Sequence, residues 1–196
     1  MTAPGTKISS KWLQEELTAI KDALRIHGLY FAPAACQFYK PSQSGGGHAL
    51  TVQVRMSPEF KGKFVRATGG VFFGLAPQKP EKDPKGNALF DWDNALTAKL
   101  GIADLSQLLY AMRCRILRIP VSDKDPGACN LFHKFKVNGV DHTTAIKYEL
   151  QKTGAILGMS KSKTERGSIS LTLPEELVLE LYLQHALHLC LLTGKR

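Results

Sequence analysis

Four groups of residues in this chain have types and spacings that could do chemistry. The first interleaves cations with aromatic rings: Arg55, Lys61, Lys63, Phe64, Arg66, Phe72, Lys99, Lys147, Tyr148, Lys161 and Lys163. Guanidinium and ammonium groups track phosphates, and a flat ring offers a stacking face worth about 1–3 kcal/mol per base, whatever the base. The set suits an unpaired polynucleotide; the alternative is lysines that merely solvate an exposed face. The second group is His185 and His188, three apart on a helical stretch and close to Cys190. No fourth ligand accompanies them and the stretch is apolar, so core histidines are expected and no metal is assigned. The third is Asp91 and Asp93, alternate positions for which turn or edge roles suffice without acid–base work. The fourth, Gly45-Gly46-Gly47, lacks the lysine and helix entry of a phosphate loop. With no G-x-S-x-G and no Cys–His context, no catalytic residue and no cofactor are assigned, and an enzyme is not expected.

Charge points the same way. A formal net charge of +9 and a pI near 9.4 favour a polyanionic partner, either nucleic acid or an acidic membrane surface. No apolar run approaches the roughly 20 residues that span a bilayer, so no membrane partner is assigned. Met1-Thr2-Ala3-Pro4-Gly5 has no basic region followed by an apolar one, so a secretory signal is not expected. Cys36, Cys114, Cys129 and Cys190 form no C-x-x-C pair. They read as buried free thiols of an intracellular, reducing compartment such as cytoplasm, nucleoid or organelle matrix.

The elements that must carry these residues repeat. Gly70 to Pro77 reads as a strand, Gln78 to Asn87 as a basic loop, Ala88 to Leu100 as a long strand and Ile102 to Met112 as a short amphipathic helix. The ending recurs: Gly167 to Leu173 alternates as a strand and Pro174 to Leu192 follows as a helix, with Thr172 and Glu175 at capping-box spacing. Leu105, Leu109 and Tyr110 then pair with Leu177, Leu181 and Tyr182 as counterparts. Such a duplicated plan fixes an architecture. Trp92, a large aromatic in a strand, is expected in the core.

Ahead of this lie a helix from Lys11 to His27, an edge strand within Leu29 to Tyr39 and a flexible loop from Pro41 to Gly47. Leu50, Val52 and Val54 alternate along a strand that Ser57-Pro58-Glu59-Phe60 should end. A second strand follows from Lys63, with a tight turn at Gly69-Gly70. The second half opens at Cys114 to Pro120, carries an insertion over 121–140 and continues as strands Thr143 to Leu150, Ala155 to Lys161 and Gly167 to Leu173. Beyond Glu180 the last helix is apolar nearly all round, which predicts deep burial or packing against another subunit. The domain plan is 1–47 for the N-terminal helix and linker, then one domain over 48–192 with halves 48–113 and 114–192.

Ala49-Leu50-Thr51-Val52 with Arg55, then Ser57-Pro58-Glu59-Phe60, Gly70 to Pro77 and Phe90-Asp91-Trp92 through Leu105 occur in this order. On these stretches the chain resembles the Whirly family of single-stranded DNA-binding proteins and the related guide-RNA-binding proteins of trypanosome mitochondria. The resemblance covers 48–192 apart from 121–140, with Ser168 to Leu192 matching in pattern more than in letters. It implies an α+β fold of two ββββα repeats, forming two packed antiparallel sheets with the helices behind, to which this chain adds an N-terminal helix. It also implies a homo-oligomer, a tetramer joined through the C-terminal helices, that binds single-stranded DNA along the sheets with little sequence preference. One departure stands out. The family's Lys-Gly-Lys-Ala-Ala-Leu run is here Gly46-Gly47-His48-Ala49-Leu50, and Lys61-Gly62-Lys63 lies in a later turn, so assembly linked to that run is not expected. Two other classes remain: an RNA-binding or annealing protein on the same fold, and a structural subunit that binds no free strand.

Overall fold

The computed structural model describes residues 15, 35–61, 64–117, 128–137 and 140–193. From residue 35 onward the described residues form nine strands and two helices, β1 (Cys36–Lys40), β2 (His48–Lys61), β3 (Phe64–Lys82), β4 (Ala88–Phe90), β5 (Leu96–Leu100), α1 (Ile102–Leu117), β6 (Ala128–Val137), β7 (Val140–Gln151), β8 (Gly154–Ser160), β9 (Arg166–Thr172) and α2 (Leu173–Thr193). The first sheet runs β1-β2-β3, with β3 pairing both β4 and β5; the second runs β6-β7-β8-β9. All pairings are antiparallel. The chain is thus two ββββα units, the fourth strand of the first being split into β4 and β5.

Alternation decides which face is buried, because a strand turns successive side chains to opposite sides. In β2, Leu50, Val52 and Val54 are buried while Thr51, Gln53 and Arg55 face outward; in β7, Ile146 and Tyr148 are buried beside exposed Lys147. The inner faces of both sheets and one side of each helix share a single apolar core. The sheets touch where β9 crosses β2 and β3. A Cβ at Gly167 would fall against the His48 ring and 3.1 Å from Leu75 Cδ2, so only glycine permits that approach. All four cysteines are free and buried, and burial pushes the Cys36, Cys129 and Cys190 thiols up.

Both helices start on a carboxylate. Asp104 accepts the Gly101 N–H at 3.0 Å, and Glu175 accepts the Thr172 N–H at 2.8 Å, placing negative charge at the positive end of each helix. Helix α2 ties the halves together. Tyr182 Oη accepts the Val54 N–H of β2 at 3.1 Å, Glu176 accepts the Tyr148 hydroxyl of β7, and Arg113 of α1 pairs with Glu180 at 3.3 Å.

The two units can be laid on each other by counting back from each helix: Leu96 lies six residues before Ile102, and Gly167 six before Leu173. Strand pairing then carries the match across both sheets. Gly70-Val71-Phe72-Phe73-Gly74-Leu75-Ala76 of β3 corresponds to Gly154-Ala155-Ile156-Leu157-Gly158-Met159-Ser160 of β8. Cys36-Gln37-Phe38-Tyr39 of β1 corresponds to Cys129-Asn130-Leu131-Phe132 of β6.

Several expectations need correction. Ser57 to Phe60 does not end a strand: β2 runs on to Lys61, paired with β3 as far as Lys61 opposite Phe64. Gly69 and Gly70 sit inside β3, opposite Met56 and Arg55, and make no turn. The long strand Ala88 to Leu100 is broken by a turn over 91–95, which leaves Trp92 39% exposed instead of in the core. The stretch 121–140 is not only an insertion, since it contains β6, the first strand of the second sheet. Residues 114–117 belong to α1. The edge strand expected within Leu29 to Tyr39 is present as β1, shifted to Cys36–Lys40, and its pairing with β2 makes it part of the first sheet. The helical counterparts are shifted by one residue: buried Leu105 and Leu109 match buried Glu176 and Glu180, whereas Leu177 and Leu181 are exposed. One residue turns a helix by about 100°, enough to move a side chain off the buried stripe. The helix predicted over Lys11 to His27 lies outside the described residues apart from Glu15, which is helical.

Candidate nucleic-acid interface

Three of the predicted residues meet on the outer face of the first sheet. Phe72 of β3 is directly opposite Lys99 of β5, and Arg55 of β2 is opposite Gly70, two residues from Phe72. The Arg55 guanidinium carbon lies 4.9 Å from the centre of the Phe72 ring and the Lys99 ammonium 5.8 Å from it, both within cation–π range. Gly70 makes room for this: a Cβ there would run into the Lys99 stem. Arg55 is further oriented by Gln53, whose amide oxygen accepts its Nε–H at 3.0 Å. Among the described residues no carboxylate pairs with Arg55 or Lys99, so two exposed cations and a half-buried ring stand together on the outer face of the sheet.

The second sheet distributes its charge differently. Lys147 stands on the outer face but pairs with Glu149 at 2.9 Å, and its ammonium holds the Glu149 carboxyl below the ordinary carboxylate range. Lys161 and Lys163 are exposed in the β8–β9 turn, beside exposed Arg166 at the start of β9. Lys161 and Arg166 also line a cleft of about 450 Å³ between this turn and the turn over 91–95. Its walls include Asp93 and Glu165, so the cleft is of mixed sign and less suited to phosphate than the first sheet's face. Lys79, on β3, is held 3.9 Å from Asp91; the Asn94 amide and then this lysine keep the Asp91 carboxyl low.

Other predicted residues fall elsewhere. Lys61, Phe64 and Arg66 sit on the far end of the β2–β3 ribbon, with Lys61 opposite Phe64 and Glu59 opposite Arg66. Lys63 lies outside the described residues. Tyr148 is not a stacking surface: its ring is 0% exposed in the core and its hydroxyl bonds Glu176. It occupies the inward phase of β7, one residue from outward Lys147, and the one-residue slip exchanges faces.

Two exposed aromatics on the edge strands were not among the predicted residues. Tyr39 and Phe132 occupy corresponding positions on the edge strands β1 and β6, both on the outer face and both largely exposed. The Cys-x-φ-aromatic match of Cys36 to Tyr39 with Cys129 to Phe132 was the signal that could have found them. It was hidden because Phe132 fell in the stretch read as an insertion. His185 and His188, expected in the core, are instead exposed on α2, and among the described residues no cluster of His, Cys, Asp and Glu could hold a metal.

With this geometry in view, likeness to solved structures becomes informative. The plant transcriptional regulator PBF-2 superimposes with a TM-score of 0.54 at 17% identity, over 81% of this chain and 82% of that one. The fold is that of the Whirly regulator PBF-2. MRP1/MRP2 of Trypanosoma brucei align over 79% of this chain and 93% of theirs, with a TM-score of 0.44 and 19% identity. No protein-family profile and no curated protein sequence matches the chain. The Whirly-like fold read from the sequence is therefore borne out: two antiparallel sheets, each closed by a helix. Among the described residues no helix is long and apolar enough to cross a membrane.

Proposed function

We propose that this protein binds single-stranded nucleic acid, single-stranded DNA with little sequence preference, along the outer faces of its sheets. The observation that carries the reading is the Arg55–Phe72–Lys99 cluster: two cations, with no carboxylate partner among the described residues, flanking one ring on the outer face of the sheet. Cations answer the phosphates, and the ring with the guanidinium plane offers a stacking surface to any base. A net charge of +9 adds long-range attraction. The Whirly-like fold supports the same reading. Lys61 and Arg66, with Phe64, belong to the β2–β3 ribbon and are further candidates for contact, and Lys147, Lys161 and Lys163 are candidates on the second sheet. The reading assigns no catalytic step, and the buried free thiols suit a reducing intracellular compartment.

The working unit is a homo-oligomer, a tetramer, formed through α2. Leu173, Leu177, Val178 and Leu181 are all exposed on that helix, with Leu177 and Leu181 at 54% and 56%. Their spacing of four places three of them on one stripe, an apolar face suited to a second copy of the same helix. The Leu177→Glu, Leu181→Glu double variant should run as a monomer in light scattering.

A fluorescence polarisation titration with single-stranded DNA, duplex DNA and RNA of equal length, repeated at rising salt, tests the binding. Expected is preference for the single-stranded DNA over duplex, with affinity falling linearly in log salt. Equal or tighter binding to RNA would select the RNA-binding alternative. No binding at low salt would leave the structural-subunit reading. Charge reversal of Lys161 and Lys163 should lower the salt slope; an unchanged slope would remove that turn from the interface.

A further inference from the structure

The corresponding rows that hold Tyr39 and Phe132 differ in one respect. On the first sheet the row is Tyr39, Ala49 and Ala76, across β1, β2 and β3. Phe90, which pairs with Gln78 two residues beyond Ala76, returns beside Tyr39 with ring centres 5.7 Å apart. Ala49 and Ala76, between the two rings in the register, are fully buried. The excursion from the end of β3 through β4 delivers Phe90, so the first sheet fills this place with a ring of its own.

On the second sheet the same row is Phe132, Ala145, Ser160 and Arg166. The floor is again small, but β8 joins β9 through a tight turn, closed by the Lys161 N–H to Glu165 carbonyl bond at 2.9 Å, with no counterpart of β4. Phe132 is consequently 70% exposed, and Ala145 and Ser160 are only partly covered. Exposed Arg166 ends the row three strand spacings away, about 14 Å. An open ring, a floor without bulk and a cation across the row match a base and its neighbouring phosphate.

We propose that Phe132 is a stacking site for one unpaired nucleobase, which takes on the second sheet the place that Phe90 fills on the first, with Arg166 on the phosphate backbone. This site rests on the proposed function and adds a second contact distinct from the Arg55–Phe72–Lys99 cluster.

The test compares wild type and Phe132→Ala on a short oligothymidylate and on an abasic oligonucleotide of the same length. Loss of one stacked base should weaken oligothymidylate binding about 5- to 150-fold. Binding of the abasic strand and the salt slope should not change. A Phe132→Trp variant should show tryptophan emission quenched by oligothymidylate beyond any change in the wild type, a readout that holds even if the alanine variant folds poorly. Equal oligothymidylate affinity for wild type and a folded Phe132→Ala, or no added quenching in Phe132→Trp, overturns the stacking site while leaving strand binding intact. A wild type that binds neither oligonucleotide at low salt overturns the proposed function and the site together.

Discussion

The two sheets share a backbone plan and a core but present opposite chemistry to solvent. Inside, the match is close: Cys36 with Cys129, Leu50 with Ile146, Phe73 with Leu157 and Leu75 with Met159 are all buried. Outside, the end nearest the helices carries Arg55, Phe72 and Lys99 on the first sheet, at positions that correspond to Gln151, Ile156 and Ser170 on the second. The row farthest from the helices carries the ring pair Tyr39 and Phe90 on the first sheet and Phe132, 70% exposed, on the second. Interior positions must fill a common volume at close packing, which restricts them to apolar groups of similar size. Outward positions need only tolerate water, so each sheet is free to place charge and aromatic rings at a different end.

The sharpest way to break this contrast is to place glutamates at matching positions. Arg55→Glu with Lys99→Glu should weaken single-strand binding on the order of 100-fold and lower the log–log salt slope by about 1.4, two contacts at about 0.7 each. Gln151→Glu with Ser170→Glu, the corresponding pair on the second sheet, should cost far less in the same titration. Equal losses would mean that charge anywhere on the surface suffices.

Next in size is the inner face, where Tyr148 matches Val52 of the first sheet. Tyr148→Phe removes a hydroxyl donor from the buried Glu176 carboxylate and should lower unfolding stability by about 1–3 kcal/mol in a urea titration. Strand affinity of the folded variant should stay the same; a fall in affinity at constant stability would return Tyr148 to the interface.

The seam between the sheets should respond to acid. Burial against Gly167 depresses His48, outweighing the opposing hydrogen bond to the Gly46 backbone. Its folded pKa thus lies below the unfolded value of 6.5. The contribution is complete above 6.5 and is lost as pH falls through the folded pKa, because the unfolded chain takes the proton first. Melting temperature should drop on acidification from neutral pH, and less so in His48→Gln.

The smallest effect concerns the tie from β1 to α2. Lys40 meets Glu175 at 2.7 Å. Partial burial works to raise the Glu175 carboxyl, but the Lys40 and Thr172 donors together hold it below 4.5. Lys40→Ala should cost about 0.2–1 kcal/mol at neutral pH, as expected of a partly exposed pair. That difference should vanish below the folded pKa of Glu175, where the carboxyl is protonated in both states.

Legibility in the sequence tracked how local each feature is. Period-two alternation in Leu50, Val52 and Val54, and the Thr172–Glu175 cap, depend on neighbours a few residues away and were readable. Cys36-Gln37-Phe38-Tyr39 against Cys129-Asn130-Leu131-Phe132 was readable in principle, but the segment around Phe132 lacks clean alternation and passed for an insertion. Arg55, Phe72 and Lys99 were each singled out by type. Their meeting depends on register between β2, β3 and β5, which no single stretch encodes.

Taken alone, the sequence determined the duplicated strand-and-helix plan, the cationic character and the apolar last helix, because composition, periodicity and capping act over a few residues, while the α+β class came with the family resemblance. Tertiary structure decided that Tyr148 turns inward, that Trp92 is exposed, that Phe90 packs beside Tyr39 and that Phe132 stands open. Each of these depends on strand phase and on which loop returns over which face, and pairing between segments distant in the chain settles both.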